Sequence, residues 1–211
     1  MLNLQYVDLS SNQLTSLNAA QFSGLINLYD LKLSNNNLTY LDSVVFRGPS
    51  SLYNLDLSSN SLSALNATLF NGLTNLVNLR MSNNQFTFIN PTQFIGLANL
   101  QNLDVSSNRL TYLNATLLNG LNSLNSLHVS HNKLTNLDSA LFKGLNYIVD
   151  LYFEFNLFGA QSRASLTAAF SNMTNLFNCT IYLTSNPIYA SGISIQSLCG
   201  SNSKCTIIPT A

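Results

Sequence analysis

Asp104, His128 and a serine at 106 or 130 are the side-chain types that nucleophilic catalysis uses. A hydroxyl attacks, an imidazole takes its proton, and a carboxylate holds the imidazole in place. The serine has a simpler origin, because Ser10, Ser34, Ser58, Ser82, Ser106 and Ser130 recur at constant spacing, and no oxyanion nest or pocket accompanies them. Catalysis is therefore not expected. His128 and His131 offer nitrogens to a metal, but on a strand and its exit they face different directions and have no third ligand. No metal and no cofactor are expected.

The chain of 211 residues has eight basic and eight acidic side chains, and only 8% of it is charged, against roughly a quarter in an ordinary soluble domain. Asn and Ser supply the missing polarity. Without clustered Lys and Arg to neutralise phosphate, nucleic acid and anionic membrane are excluded as expected partners. A hydrophobic content of 46% calls for a folded core, yet no apolar run approaches the ~18 residues needed to span a bilayer, and the first residues given do not read as a basic, apolar, small-residue leader, so a signal peptide is expected to be missing from this fragment. Three cysteines, Cys179, Cys199 and Cys205, allow at most one intramolecular bridge.

These side chains are positioned by a repeat. Leu4, Leu28, Leu52, Leu76, Leu100, Leu124 and Ile148 stand 24 residues apart, and so do Asn12, Asn36, Asn60, Asn84, Asn108, Asn132 and Asn156. Between them runs L-x-x-L-x-L-x-x-N-x-L, as in LYNLDLSSNSL from Leu52, followed by a second signature such as LNATLFNGL from Leu65. Each L-x-L triplet reads as a short strand with its leucines inward, and strands separated by a whole returning segment must be parallel. In the return, Asn18, Asp42, Asn66, Asn90, Asn114 and Asp138 are cap residues, and Gly24, Gly48, Gly72, Gly96, Gly120 and Gly144 close a short helical turn. Gln21 and Gln93 sit where a capping box places them. Phe22, Phe46, Phe70, Phe94, Phe142 and Phe170 form an apolar spine beneath, with Leu118 substituting once.

Residues 1–158 resemble the leucine-rich repeat family, in its 24-residue typical class found mostly in extracellular animal proteins. The resemblance implies an α/β solenoid of seven or eight repeats, with a concave parallel sheet and Asn amides bonding the main chain of neighbouring turns. It also implies non-catalytic recognition of a protein ligand on the concave face, as part of a secreted or cell-surface receptor or adhesion protein. An intracellular scaffold is the alternative. Met1 aligns with a core leucine, so the chain opens inside a repeat and a fragment is expected. Residues 159–211 read as a longer irregular repeat, with a helix near 165–170, and a cap-like segment of the same solenoid. Two strand registers compete there, and the one built on Ile181, Leu183, Asn186 and Ile188 is preferred because it supplies the Asn. Asn186-Pro187 resembles the opening of a cysteine-bearing C-terminal cap, although Cys-x-Cys does not follow. Cys199 and Cys205 are the candidate disulfide, and its formation would indicate the secretory route.

The outward middle positions read Asp8, Lys32, Asp56, Arg80 and Asp104, an alternation that is either a self-neutralised ladder or a ligand-reading stripe. Beyond them His128, His131, Tyr152, Glu154, Phe155 and Tyr182 replace Ser and Asn. Aromatics beside His and a carboxylate are the composition of a binding hot spot, unless the C-terminal segment covers them. Five N-glycosylation sequons begin at Asn37, Asn66, Asn114, Asn172 and Asn178. Asn37, Asn172 and Asn178 are the acceptor candidates, since a glycan on Asn66 or Asn114 would compete with a cap.

Overall fold

The computed structural model describes residues 3–18, 21–173, 179–188, 195–199 and 205–208. Each regular repeat forms a three-residue strand centred on the first apolar residue of its L-x-L triplet: β1 (Tyr6–Asp8), β2 (Asp30–Lys32), β3 (Asn54–Asp56), β4 (Asn78–Arg80), β5 (Asn102–Asp104), β6 (Ser126–His128) and β7 (Asp150–Tyr152). Two more, β8 (Cys179–Tyr182) and β9 (Cys205–Ile208), extend the same parallel sheet, whose order follows the chain. The nine strands make a solenoid of about eight turns, in line with the seven or eight repeats expected, and β9 lies beyond the recognisable repeat pattern. Leu31, Leu55, Leu79, Leu103, Leu127 and Leu151 pair along the sheet and are buried. At β8 the partner of Leu151 is Ile181, which selects the register that contains Asn186.

A ladder of buried amides ties consecutive turns together. Asn108 Nδ2 donates to the carbonyls of Met81 (3.1 Å), Val105 (3.0 Å) and Ser106 (3.0 Å), while its Oδ1 accepts from Phe86 N at 3.1 Å. Asn36, Asn60, Asn84, Asn132 and Asn156 repeat this pattern, and Asn186 donates to Phe153 O and Leu183 O. One short side chain thereby satisfies main-chain groups of two turns that a tight bend leaves unpaired.

The return segments are the short turns expected, closed by i→i+3 backbone bonds such as Val45 N to Asp42 O (3.1 Å) and Leu69 N to Asn66 O (3.0 Å), and they do not extend into regular helices. Asp42, Asn66, Asn90, Asn114 and Asp138 each accept on Oδ1 from the backbone N–H two residues on, at 2.9–3.0 Å. Too few residues follow before the closing glycine to nucleate a helix. The longer repeat has the length, and there α1 (Arg163–Ser171) forms over the expected residues 165–170. Gln21 Oε1 accepts from Asn18 N at 3.1 Å, as a capping box requires, whereas Gln93 is buried and donates to Asn66 O of the preceding turn. Beneath the turns Phe22, Phe46, Phe70 and Phe94 stack with centroids 6.3–6.5 Å apart. Gly48 packs so closely on this layer that a Cβ would overlap the Phe22 carbonyl.

Candidate functional site

Alternation along each strand sends the first and third residues outward, so three rows of side chains run across the concave face. In the middle row Asp8, Lys32, Asp56, Arg80 and Asp104 are adjacent as expected; Lys32 attracts Asp8 across the strands, but no direct ion pair forms among the described residues. Each aspartate instead binds its own strand. Ser58 donates to Asp56 Oδ1 through its N–H (2.9 Å) and hydroxyl (2.6 Å), and Ser106 does the same to Asp104. The equivalent bonds from Ser10 hold the Asp8 carboxyl below the usual carboxylate range. Lys32 Nζ lies 5.2 Å from the Tyr6 ring centroid. A local bond to the next outward serine outcompetes a solvated partner on a neighbouring strand, which would contribute at most about 1 kcal/mol.

The first row escaped the sequence reading. Asn54 Nδ2 donates to Asp30 Oδ2 (3.1 Å), Asn78 Nδ2 to Asn54 Oδ1 (2.6 Å), and Asn102 Nδ2 to Asn78 Oδ1 (2.6 Å). The 24-residue spacing of these residues was the available signal. Counting this row changes the electrostatics. Asp8, Asp30, Asp56, Asp104, Asp150 and Glu154 are six of the eight acidic residues, and they share the concave face with only two of the eight basic ones, Lys32 and Arg80. The face therefore carries four excess negative charges although the chain is neutral. Two depressions of about 240 and 400 Å³ lie along it, the first over β2–β4 and the second over β4–β6.

The structure brings five of the six C-terminal candidates into two aromatic stacks. His128, Tyr152 and Tyr182 lie on neighbouring strands with centroids 4.0 and 4.5 Å apart and planes within 10°. His131 and Phe155 stack at 4.2 Å where the chain leaves the strands. Tyr182 is half-buried and pairs with Ile208 of β9, while Phe155 stays 50% exposed. Phe155 and its equivalents Ser11, Asn35, Ser59, Asn83, Ser107, His131 and Ser185 all take left-handed φ values of 51–58°. Asn and His are enriched in that backbone, and Asn35 and Asn83 there donate to Ser11 and Ser59 one turn away, but a bulky phenylalanine is strained.

Glu154, the sixth candidate, occupies the row that carries serine in earlier repeats, and its Oε2 is buried with no hydrogen-bond partner among the described residues. Burial raises its carboxyl above the ordinary value of 4.5, partly opposed by its own backbone N–H and by His131. The protonated form is thus favoured on folding, so this contribution to stability is present below 4.5 and is lost as pH rises through the raised folded value. Glu154→Gln is expected to raise the thermal midpoint at pH 7 and to match the parent at pH well below 4.5. A variant less stable than the parent at pH 7 would contradict this. Burial shifts His128 the other way, below 6.5, with Asp104 and Asp150 opposing, so its contribution is lost on acidification.

The triad-like residues are near one another but wrongly connected. Ser106 donates to Asp104, and His128 Nε2 shares its 3.0 Å hydrogen bond with Ser126, so no serine–imidazole–aspartate relay runs through them.

The family model described as leucine rich repeat matches residues 3–62, 50–110 and 98–158. The chain belongs to the leucine-rich repeat family. No curated protein matches its sequence. Among solved structures, this leucine-rich repeat chain is similar to a chain of the Drosophila Toll–Spatzle complex (TM-score 0.77, 26% identity, 87% of this chain and 28% of that one). It is also similar to human 5T4, or trophoblast glycoprotein (TM-score 0.69, 25% identity, 87% of this chain and 70% of that one). A glycosylated form of the Toll–Spatzle complex shares the fold at TM-score 0.74 and 22% identity, over 99% of this chain and 32% of that one. The chain thus spans about a third or less of the length of the Toll–Spatzle chains it matches.

Of the modification candidates on this leucine-rich repeat scaffold, Asn37 is exposed, and exposed Asn172 donates from Nδ2 to Ser139 O at 3.0 Å; Asn178 lies outside the described residues. Asn66 and Asn114 cap through Oδ1, whereas a glycan would attach at Nδ2, so the competition expected between cap and glycan does not arise. Cys199 and Cys205 form a disulfide with Cα atoms 5.8 Å apart. Cys179 is a buried free thiol that burial pushes up to about 12, which makes it unreactive near neutrality.

Proposed function

We propose that this chain is a non-catalytic recognition module of a secreted or cell-surface receptor or adhesion protein. It takes a protein ligand on the concave face, anchored by Tyr152, Phe155 and Tyr182 with His128, His131 and Glu154 around them. The observation that carries this reading is Phe155. An exposed phenylalanine in left-handed backbone costs stability where seven equivalent positions use serine, asparagine or histidine, and such strain concentrates at binding sites. Stacked, half-exposed aromatics are the side chains from which hot spots are built. The similarity to a chain of the Toll–Spatzle complex supports a protein partner, and the Cys199–Cys205 disulfide supports an oxidising compartment.

The test uses Phe155→Asn with Tyr152→Ser, since alanine at 155 would keep the backbone strain. Relief of the left-handed phenylalanine and loss of its stack on His131 are each about 1 kcal/mol and nearly offset. The thermal midpoint of Phe155→Asn should therefore shift by less than about 4 °C. A multimerised form of the chain is screened against an array of purified extracellular proteins. Partners of the parent are expected to be lost with the double variant and kept with Tyr29→Ser/Tyr53→Ser, which alters a stacked pair at the start of β2 and β3, outside the cluster. Partners that bind the parent and the double variant alike would overturn the assignment of this face.

A further inference from the structure

Resting on the concave face as the docking surface, we infer that its C-terminal end receives an arginine side chain of a basic protein partner, stacked on Phe155 and paired with Glu154. Phe155 uses one ring face against His131. Because the rings stack along the strand order, the other face looks toward the next strand exit, where the equivalent residue is Ser185. A serine is too short to cover a phenyl face, which accounts for the 50% exposure of Phe155. An open aromatic face attracts a cation, and a guanidinium suits it because the group is planar, stacks on rings and desolvates more easily than an ammonium.

The charges around this position select the same ligand. Glu154, next to Phe155 in the chain, has an Oε2 that no donor among the described residues satisfies; it is buried in the free protein, so the carboxylate must turn outward to meet a guanidinium, which then brings donors in a fixed fork. Asp150 opens β7, the strand that these two residues follow, and β6 to β9 carry no lysine or arginine. The whole concave face holds its excess of four negative charges, so a basic partner surface is complementary along the full sheet and an acidic one is disfavoured. Arginine is preferred to lysine, whose compact and strongly hydrated ammonium does not use the ring face as well.

The probe is a blocked peptide of alternating glycine and three arginines, titrated calorimetrically against its citrulline counterpart, which is nearly isosteric and uncharged, and against a lysine version. The arginine peptide is expected to bind at least about tenfold more tightly than the citrulline peptide and several-fold more tightly than the lysine one. Its affinity should fall between about 50 and 200 mM salt. Phe155→Asn and Glu154→Gln should each weaken it about tenfold, and neither variant is expected to lose fold stability, which melting checks directly. Equal binding of arginine and citrulline, no binding up to about 5 mM, or affinity unchanged in both variants overturns the inference. A concave-face partner that depends on Tyr152 and Phe155 but is indifferent to Glu154→Gln overturns it too, while leaving the docking surface in place.

Discussion

Asn108→Ala is expected to cost about 3 kcal/mol or more, a large share of the stability of a domain. The substitution removes one amide but orphans several groups: Phe86 N–H loses its acceptor, and Met81 and Val105 lose a shared donor in a dry interior. Each buried group left unpaired costs about 1–3 kcal/mol, and water reaching the bend recovers part of it. Asn12→Ala is the internal control. Asn12 donates to Leu9 O (3.0 Å) and Ser10 O (2.9 Å), but it is exposed, and water replaces what alanine removes. Its cost should stay below about 1 kcal/mol. Urea denaturation of both variants measures the difference, and limited proteolysis should cut the Asn108 variant near its own repeat. Equal costs at the two positions would mean that burial is not what gives the amide its value.

Phe70→Ala is expected to be still more destabilising, at about 3–5 kcal/mol. Phe70 is 1% exposed and stacks between Phe46 at 6.5 Å and Phe94 at 6.3 Å, so truncation opens a cavity between turns fixed by their own backbone bonds. The loss should also spread along the solenoid, because each turn is stabilised by its neighbours. In double-mutant cycles Phe46→Ala with Phe70→Ala should couple by at least about 0.5 kcal/mol, whereas Phe22→Ala with Phe142→Ala should be additive. Coupling of the distant pair as strong as that of the adjacent one would show that the spine melts as a single unit.

What could be read from the residues follows from how regularly each feature repeats. The strand leucines, the buried asparagines and the phenylalanine spine occur once per 24 residues, and each is explained by a side chain meeting its own copy one turn away. Gln93 was misread because a local motif, the capping box, was given priority over a neighbouring turn that offers Asn66 O. The return turns are legible from their caps and closing glycines, which do not by themselves fix how regular each turn is. The charge reading was incomplete for a related reason: following only the middle row left out Asp30 and Asp150, and with them the imbalance of the face. Of the candidate site, residue types showed His128, Tyr152, Glu154, Phe155 and Tyr182 as unusual, but not that Phe155 is strained or that Glu154 hides an oxygen. Those properties depend on backbone angle and packing.

The segregation of charge governs how this neutral chain behaves at long range. A molecule with no net charge exerts no monopole attraction, so a basic partner feels it only through the dipole between the carboxylate-rich hollow and the cations Arg47, Arg109, Lys133, Lys143 and Arg163, which lie outside the strands. That field decays faster with distance than a monopole's and turns repulsive on the side of the cations, so it orients an approaching molecule more than it collects it. Added salt should therefore act mainly on productive orientation, lowering the fraction of encounters that reach the hollow while the collision frequency stays nearly constant.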